Sequence, residues 1–224
     1  MTKAIFIPIK EKSQRVPRKN FRKLGDTELW KINVLKFSQG DIPVYVDTDS
    51  NRILEECRDI PNVQAYRRKS HLLGHEISVN DLLAYFVHTF GAYETICQVH
   101  VTSPFLRLAT VLNAFEWIEQ GFDSVIGCNV HQARFWRLED YGYCPVNHNP
   151  MRLEETQGLP KLYEENSSLY TFTANGFKRH GKRVGVYPYF LEVPFPECLD
   201  IDDESDWAKV VKLGEVYEHY RAIL

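Results

Sequence analysis

Short apolar segments of strand length alternate with segments of helical period along most of this chain, and that rhythm constrains the fold more than any other feature. AIFIPI (Ala4–Ile9) is followed by a helical pattern over Leu29–Phe37, by PVYVD (Pro43–Asp47) and by a second helical segment over Arg52–Arg58. VQAY (Val63–Tyr66) precedes a longer helix over Ser78–Phe90, in which Leu82, Leu83, Phe86 and Val87 recur at helical spacing. TICQVHV (Thr95–Val101) reads as a buried strand, Leu108–Gln120 as a helix and DSVIGC (Asp123–Cys128) as a strand. This βαβα succession predicts an α/β fold with a mainly parallel sheet and helices on both faces. Such sheets bind ligands beyond the carboxyl ends of their strands, which puts Lys10–Asn20, Asp47–Ser50 and His100–Pro104 along one rim.

The rhythm breaks between residues 130 and 165, where HQARFWRLEDYGYCPVNHNP is rich in aromatics, Pro and Asn and has no helical period. That stretch is expected to be an excursion containing a β-hairpin or long loops. After it come SLYTFT (Ser168–Thr173), a short helix near Ala174–His180 and the apolar stretch Val184–Val193. A final helix starts near Asp203 with Trp207, Val210, Val211 and Tyr217 on one face, and the acids in its first turn complement the helix dipole. The 224 residues fit one domain, 1–224, with the excursion inserted at about 130–165.

A net charge of −3 gives no overall basic field, so nucleic acid is not the expected partner. The five cysteines are widely spaced with no CxxC pair, the pattern of reduced thiols in a cytoplasm. No apolar run reaches membrane-spanning length, and no secretory signal is present.

Basic density is instead local. KEKSQRVPRKNFRK (Lys10–Lys23) follows the first strand directly, and a triphosphate needs such cations together with N–H donors. Lys10, Lys12, Arg15, Arg18 and Lys19 provide charge, Ser13 a hydroxyl, and Pro17 stiffness. Without glycine this is not a Walker-type loop, and a solvated charged loop would have the same composition. LDIDDESDW (Leu199–Trp207) ends an apolar run with carboxylates. Asp200 and Asp202 alternate along an extended segment and so project to one side, as a Mg²⁺ site shared with phosphate requires. Asp203 and Asp206 suit the helix start, and capping by all four acids is the plainer alternative. His71 and His75 are four apart but lack a third ligand. Asp47 and Asp49 fit sheet-edge turn or N-cap roles. Phe135, Trp136, Tyr141 and Tyr143 form an aromatic group suited to a contact between subunits.

IPIKEKSQRVPRKN (Ile7–Asn20) resembles the first motif of the CMP-sugar-acid synthetases, the acylneuraminate cytidylyltransferases and their relatives. Ile7, Pro8, Ser13, Pro17, Lys19 and Asn20 match it; Lys10 stands for an Arg and Gln14 for a second phosphate-binding Lys. Further segments resemble the family in its own order: VDTDSNRI (Val46–Ile53), YRRKSHLLGHEISVND (Tyr66–Asp81), HVTSPFLR (His100–Arg107), TQGLPKLYEENSSLYTF (Thr156–Phe172) and LDIDDESDW. His100 replaces a Gln, Ser167 a Gly, and Thr156 the Arg that binds the sugar carboxylate. Together these segments cover nearly the whole chain.

The resemblance implies a three-layer Rossmann-like nucleotidyltransferase fold with a small dimerisation excursion. It also implies a homodimer in which His131 and Arg134 are lent to the neighbouring site. The implied reaction couples CTP to a nonulosonic or related keto-sugar acid and releases pyrophosphate. Lys19, Lys10 and Asp202 would be catalytic, and Lys10, Ser13, Arg15, Lys19, Asn20 and Arg68 would bind the nucleotide. His100, Asn166, Tyr170 and Ser78 would bind the acceptor, and Asp200 and Asp202 would hold Mg²⁺. A pseudaminate- or legionaminate-like sugar, a Kdo-like octulosonate and a non-sugar acid all remain open as acceptors. A nucleotidyltransferase or glycosyltransferase of other specificity, and a non-catalytic nucleotide-binding homologue, are the alternatives.

Overall fold

The computed structural model describes residues 1–13, 15–74 and 76–216, so Gln14, His75 and Tyr217 lie outside the described residues. The elements in order are β1 (Lys3–Ile9), β2 (Lys23–Leu24), β3 (Thr27–Glu28), α1 (Leu29–Ser38), β4 (Val44–Thr48), α2 (Asn51–Glu56), β5 (Val63–Arg67), α3 (Val79–Thr89) and β6 (Thr95–Val99). They continue with α4 (Leu108–Glu119), β7 (Ser124–His131), β8 (Trp136–Glu139), β9 (Gly142–Pro145), β10 (Leu162–Thr173), α5 (Ala174–His180), β11 (Pro188–Glu192) and α6 (Glu204–Val216). Seven strands form one sheet in the order β11-β7-β10-β6-β1-β4-β5. Strand β10 runs antiparallel to both its neighbours, and the other pairings are parallel.

The central strand shows why the sheet has two covered faces. Ile5, Ile7 and Ile9 point to one side, into a core with Trp30, Val34 and Phe37 of α1 and with Val111 and Phe115 of α4. Ala4 and Phe6 point to the other, against Leu82, Leu83 and Phe86 of α3 and Phe177 of α5. A strand apolar at every position can be buried only between two helical layers. The α3 stripe expected from spacing meets the sheet through tilted and edge-on rings, with Phe86 5.0 Å from Phe6 and 5.1 Å from Tyr45. Truncating a fully buried Phe of this kind costs about 3–5 kcal/mol. The final helix closes a third cluster, Leu29, Ile32, Phe105, Ile201 and Val210, which docks the acidic segment beside the basic loop.

The excursion contains the expected hairpin, β8 paired with β9, as a separate two-stranded sheet. The flanking strands reach further into it than the sequence pattern showed. Strand β10 begins at Leu162 instead of Ser168, and its first residues pair with Cys128–His131 of β7. Glu164 and Glu165 are exposed there, so the alternation that marks a half-buried strand is missing.

Candidate active site

The loop after β1, the end of β5, the start of α3 and the loop after β6 enclose a cleft of about 270 Å³. Lys10, Lys12, Ser13, Arg15, Lys19 and Asn20 line it from the basic loop, and Arg68, Ile77, Val79, His100 and Thr102 complete the wall. The sheet rim predicted from strand order is therefore where the cleft lies. The loop gets its shape without glycine. Arg18 adopts φ 54°, and a 3-10 turn follows at Lys19–Phe21. The Asn20 amide donates to the Lys10 carbonyl at 2.7 Å and closes the loop on itself. Its Oδ1 is buried without a partner, an acceptor left over at the cleft wall. The Glu11 N–H donates to Asp49 at 2.7 Å and ties the loop to the end of β4.

The cations differ in how they are held. Lys19 Nζ donates to the Ile201 carbonyl at 2.6 Å. Burial pulls its pKa below the usual lysine range, opposed by the charges of Asp200 and Asp202. Lys10 Nζ reaches the Gly74 carbonyl at 3.4 Å. Arg68 is buried, its Nε on the Asp47 carboxylate and its Nη2 on the carbonyls of Asp47 (3.2 Å) and Ile9 (3.4 Å). A turn or N-cap role was expected for at least one of Asp47 and Asp49, and the N-cap of α2 falls to neither. Asp47 is a fully buried counter-ion, Asp49 anchors the basic loop, and Ser50 occupies the N-cap of α2. Burial raises the pKa of Asp47 above the usual carboxylate range, with Arg68 opposing the shift.

Asp200 and Asp202 flank Ile201, whose side chain is fully buried and whose N–H donates to the Thr102 carbonyl at 2.9 Å. The two carboxylates are thus turned away from the core together. Asp200 Oδ1 is buried with no hydrogen-bond partner, and burial raises that carboxyl's pKa, with Asp202 adding to the rise. Asp202 is ion-paired with Arg15 at 2.6 Å. Asp203 and Asp206 do serve the helix start: Asp206 accepts the N–H groups of Asp202 and Asp203, and Asp203 accepts that of Asp206 at 3.0 Å. No group of three or more His, Cys, Asp or Glu side chains poised for a metal occurs among the described residues. A two-carboxylate site with an orphaned buried oxygen fits a Mg²⁺ whose other ligands are phosphate and water.

Of the residues expected to meet the acceptor, His100 lines this cleft, whereas Asn166, Tyr170 and Ser78 are not part of its lining. His100 is half-buried, and burial, with the charges of Arg183 and Lys19 adding to it, lowers its pKa to about 4. The imidazole is therefore neutral at neutral pH. Asn166 and Tyr170 flank an irregularity in β10 where Ser167 adopts φ 60°. Asn166 Oδ1 accepts from Ser168 N (3.2 Å) and Oγ (2.6 Å), and its amide donates to Asn129 Oδ1 at 3.2 Å. Gly127 is required opposite, since a Cβ there would lie 2.5 Å from Ser168 Oγ. Tyr170 donates its hydroxyl to Glu165 at 2.8 Å. Ser78 sits at the N-cap of α3, its hydroxyl bonded to Asp81 in a capping box. His131 pairs with Glu164 at 2.7 Å, and Arg134 donates to the Glu154 carbonyl. The sequence reading missed Arg183 and Gln98, which touch one another beside Tyr170. Arg183 lies in a stretch of surface-like basic residues, and nothing in its spacing marks it out.

The chain matches the family model described as Cytidylyltransferase over residues 4–223. The post-translational flagellin modification protein B of Campylobacter coli is 22% identical over 210 residues, covering 89% of each chain. Among solved structures, a CMP:2-keto-3-deoxy-manno-octonic acid synthetase complexed with CTP superposes with a TM-score of 0.67 at 13% identity, over 96% of this chain and 99% of that one. A 4-diphosphocytidyl-2C-methyl-D-erythritol synthase gives the same TM-score at 14% identity, over 94% and 98%. The fold is shared at low identity by proteins of both names, and the family match spans nearly every residue that lines the cleft. This chain belongs to the cytidylyltransferase family.

Proposed function

We propose that the chain transfers CMP from CTP to a nonulosonic or related keto-sugar acid, releasing pyrophosphate. One observation carries this reading: Lys10, Lys19 and Arg68 line one cleft, and Lys19 reaches the Ile201 carbonyl between Asp200 and Asp202. Phosphoryl transfer asks the protein mainly for positioning and charge stabilisation. Lys19 and Lys10 hold the triphosphate oxygens, Ser13 and Asn20 orient the nucleotide, and Arg68 adds charge from the cleft wall. Arg15, one position past Gln14, adds a cation at the mouth. Asp200 and Asp202 are the residues that would hold Mg²⁺, which would supply positive charge to offset that of the triphosphate. His100, Asn166 and Tyr170 face the acceptor. So weakly basic an imidazole orients a hydroxyl by hydrogen bonding and does not store its proton. The name of the octonic acid synthetase supports a sugar acid as acceptor.

The exposed apolar side chains of the excursion support a homodimer: Leu138 is 68% exposed, Tyr143 73% and Leu153 95%. Five free cysteines support a reducing cytoplasm. No helix among the described residues is long and apolar enough to cross a membrane. Pyrophosphate release from CTP, compared with the other nucleoside triphosphates and run against a panel of keto-sugar acids, tests the reading. CTP-dependent release that falls by about 100-fold in Lys19→Ala or Asp202→Ala is expected. Tight CTP binding without release for any acceptor would overturn catalysis in favour of a nucleotide-binding role.

A further inference from the structure

We infer that Arg183 is the acceptor-binding residue that recognises the carboxylate of the sugar acid, an inference that rests on the acceptor reading above. The chain reaches Arg183 directly after α5, through Gly181, which ends that helix in the left-handed region at φ 69°. The loop that follows is fixed at several points. Arg183 N–H donates to Asn80 Oδ1 at 3.2 Å, which ties it to the start of α3 beside the cleft. Gly185 N–H donates to Ser124 Oγ at 2.9 Å, and Val186 and Tyr187 N–H groups both donate to Asp123 Oδ2, at 2.7 and 2.9 Å. Asp123 sits so close that a Cβ at position 185 would lie 2.2 Å from its Oδ1, so only glycine passes there. A loop held this way presents its arginine in one geometry, which lowers the ordering cost of binding.

The guanidinium itself lies flat on Tyr170, 3.5 Å from the ring centroid, and donates from Nη1 to Gln98 Oε1. It forms no ion pair among the described residues, although burial lowers its pKa and the Glu165 charge reaches it only as a weaker opposing effect. Two other arginines differ: the buried Arg68 is paired with Asp47, and the exposed Arg107 with the buried Glu197. A partly buried cation whose near partners are the Tyr170 ring and hydroxyl and one amide oxygen, with the Glu165 carboxylate bonded to that hydroxyl and not paired with the cation, is costly, and an anionic ligand relieves that cost. Gln98 Nε2 is buried beside it with no acceptor of its own.

Its position selects the acceptor over the nucleotide. Gln98 and His100 are two apart at the end of β6 and so share a sheet face, and Arg183 is close enough for its charge to depress His100. The phosphate cations Lys10 and Lys19 approach His100 from the basic loop, whereas Arg183 approaches from β10 and α5. A planar fork of N–H donors matches a carboxylate bidentately, and stacking on Tyr170 fixes the plane of that fork.

The test titrates the full chain, with CMP present, with N-acetylneuraminic acid, with 2-keto-3-deoxy-manno-octonic acid and with the methyl ester of each. The wild type is expected to bind at least one acid about 10- to 100-fold more tightly than its ester, and Arg183→Gln to abolish that preference. Arg183→Lys should retain part of it, and CMP affinity, measured on the same samples, should be unchanged in both variants. Equal binding of acid and ester by the wild type, a preference that survives Arg183→Gln, or no binding of any acid would overturn the assignment. Pyrophosphate release is scored separately. Acid binding through Arg183 without release would sink the transfer reaction and leave the carboxylate site standing, and release that ignores Arg183 would do the reverse.

Discussion

Replacing Asp47 by Asn removes one charge from the Arg68–Asp47 pair while keeping an oxygen that accepts from Nε. The two side chains are 1% and 0% exposed, so solvent screens neither. Breaking a buried pair by neutralising one partner leaves the other charge uncompensated and costs about 3–5 kcal/mol. The retained hydrogen bond places Asp47→Asn at the lower end, near 3 kcal/mol. For a chain of this size each kcal/mol shifts the melting temperature by roughly 2–4 °C, so a fall of about 6–12 °C is expected. CTP returns negative charge to the same guanidinium from the cleft side, so it should raise the melting temperature of the variant more than that of the wild type. Thermal unfolding followed by near-UV circular dichroism, with and without saturating CTP, reads both effects. A fall below 2 °C would refute the view that the pair holds the back of the site together. Equal stabilisation of both proteins by CTP would refute a phosphate role for Arg68.

His100 sets a pH dependence whose sign is fixed. Its pKa of about 4 in the folded chain lies below the usual histidine value, so between the two the unfolded chain binds more protons and stability rises with pH. Denaturant unfolding from pH 4 to 7 should show that slope, and His100→Gln should flatten it. Asp200→Asn should weaken the Mg²⁺ dependence of CTP binding by about tenfold or more while leaving metal-free nucleotide affinity intact; an unchanged Mg²⁺ titration would remove Asp200 from the metal site. Leu138→Asp places a charge on the exposed apolar hairpin, and sedimentation should show the variant as monomer and the wild type as the proposed dimer. A variant that sediments as the wild type does would count against the hairpin as the interface.

The basic loop that lines the cleft was legible in the sequence because its residues are local to one another. Lys10, Ser13, Lys19 and Asn20 follow β1 within a few positions, and a strand that ends at a sheet rim delivers whatever follows it to that rim. The acids are equally local, since Asp200 and Asp202 alternate around a buried Ile201. Two-sided burial of β1 and the apolar stripe of α3 followed from period alone. The start of β10 did not, because its first residues pair in the sheet with exposed acidic side chains that carry no strand signal.

What the sequence determined by itself, then, is the layered sheet, the rim where the cleft lies and the basic loop that lines it, all set by periodicity and by what directly follows a strand. Only the tertiary structure decided which charges are compensated. It joins Asp47 to Arg68, sets Arg15 on Asp202, and brings Arg183 to Gln98 and Tyr170 from another part of the chain. Charge compensation depends on distance through folded space and on burial, and neither leaves a period or a spacing along the chain to be read.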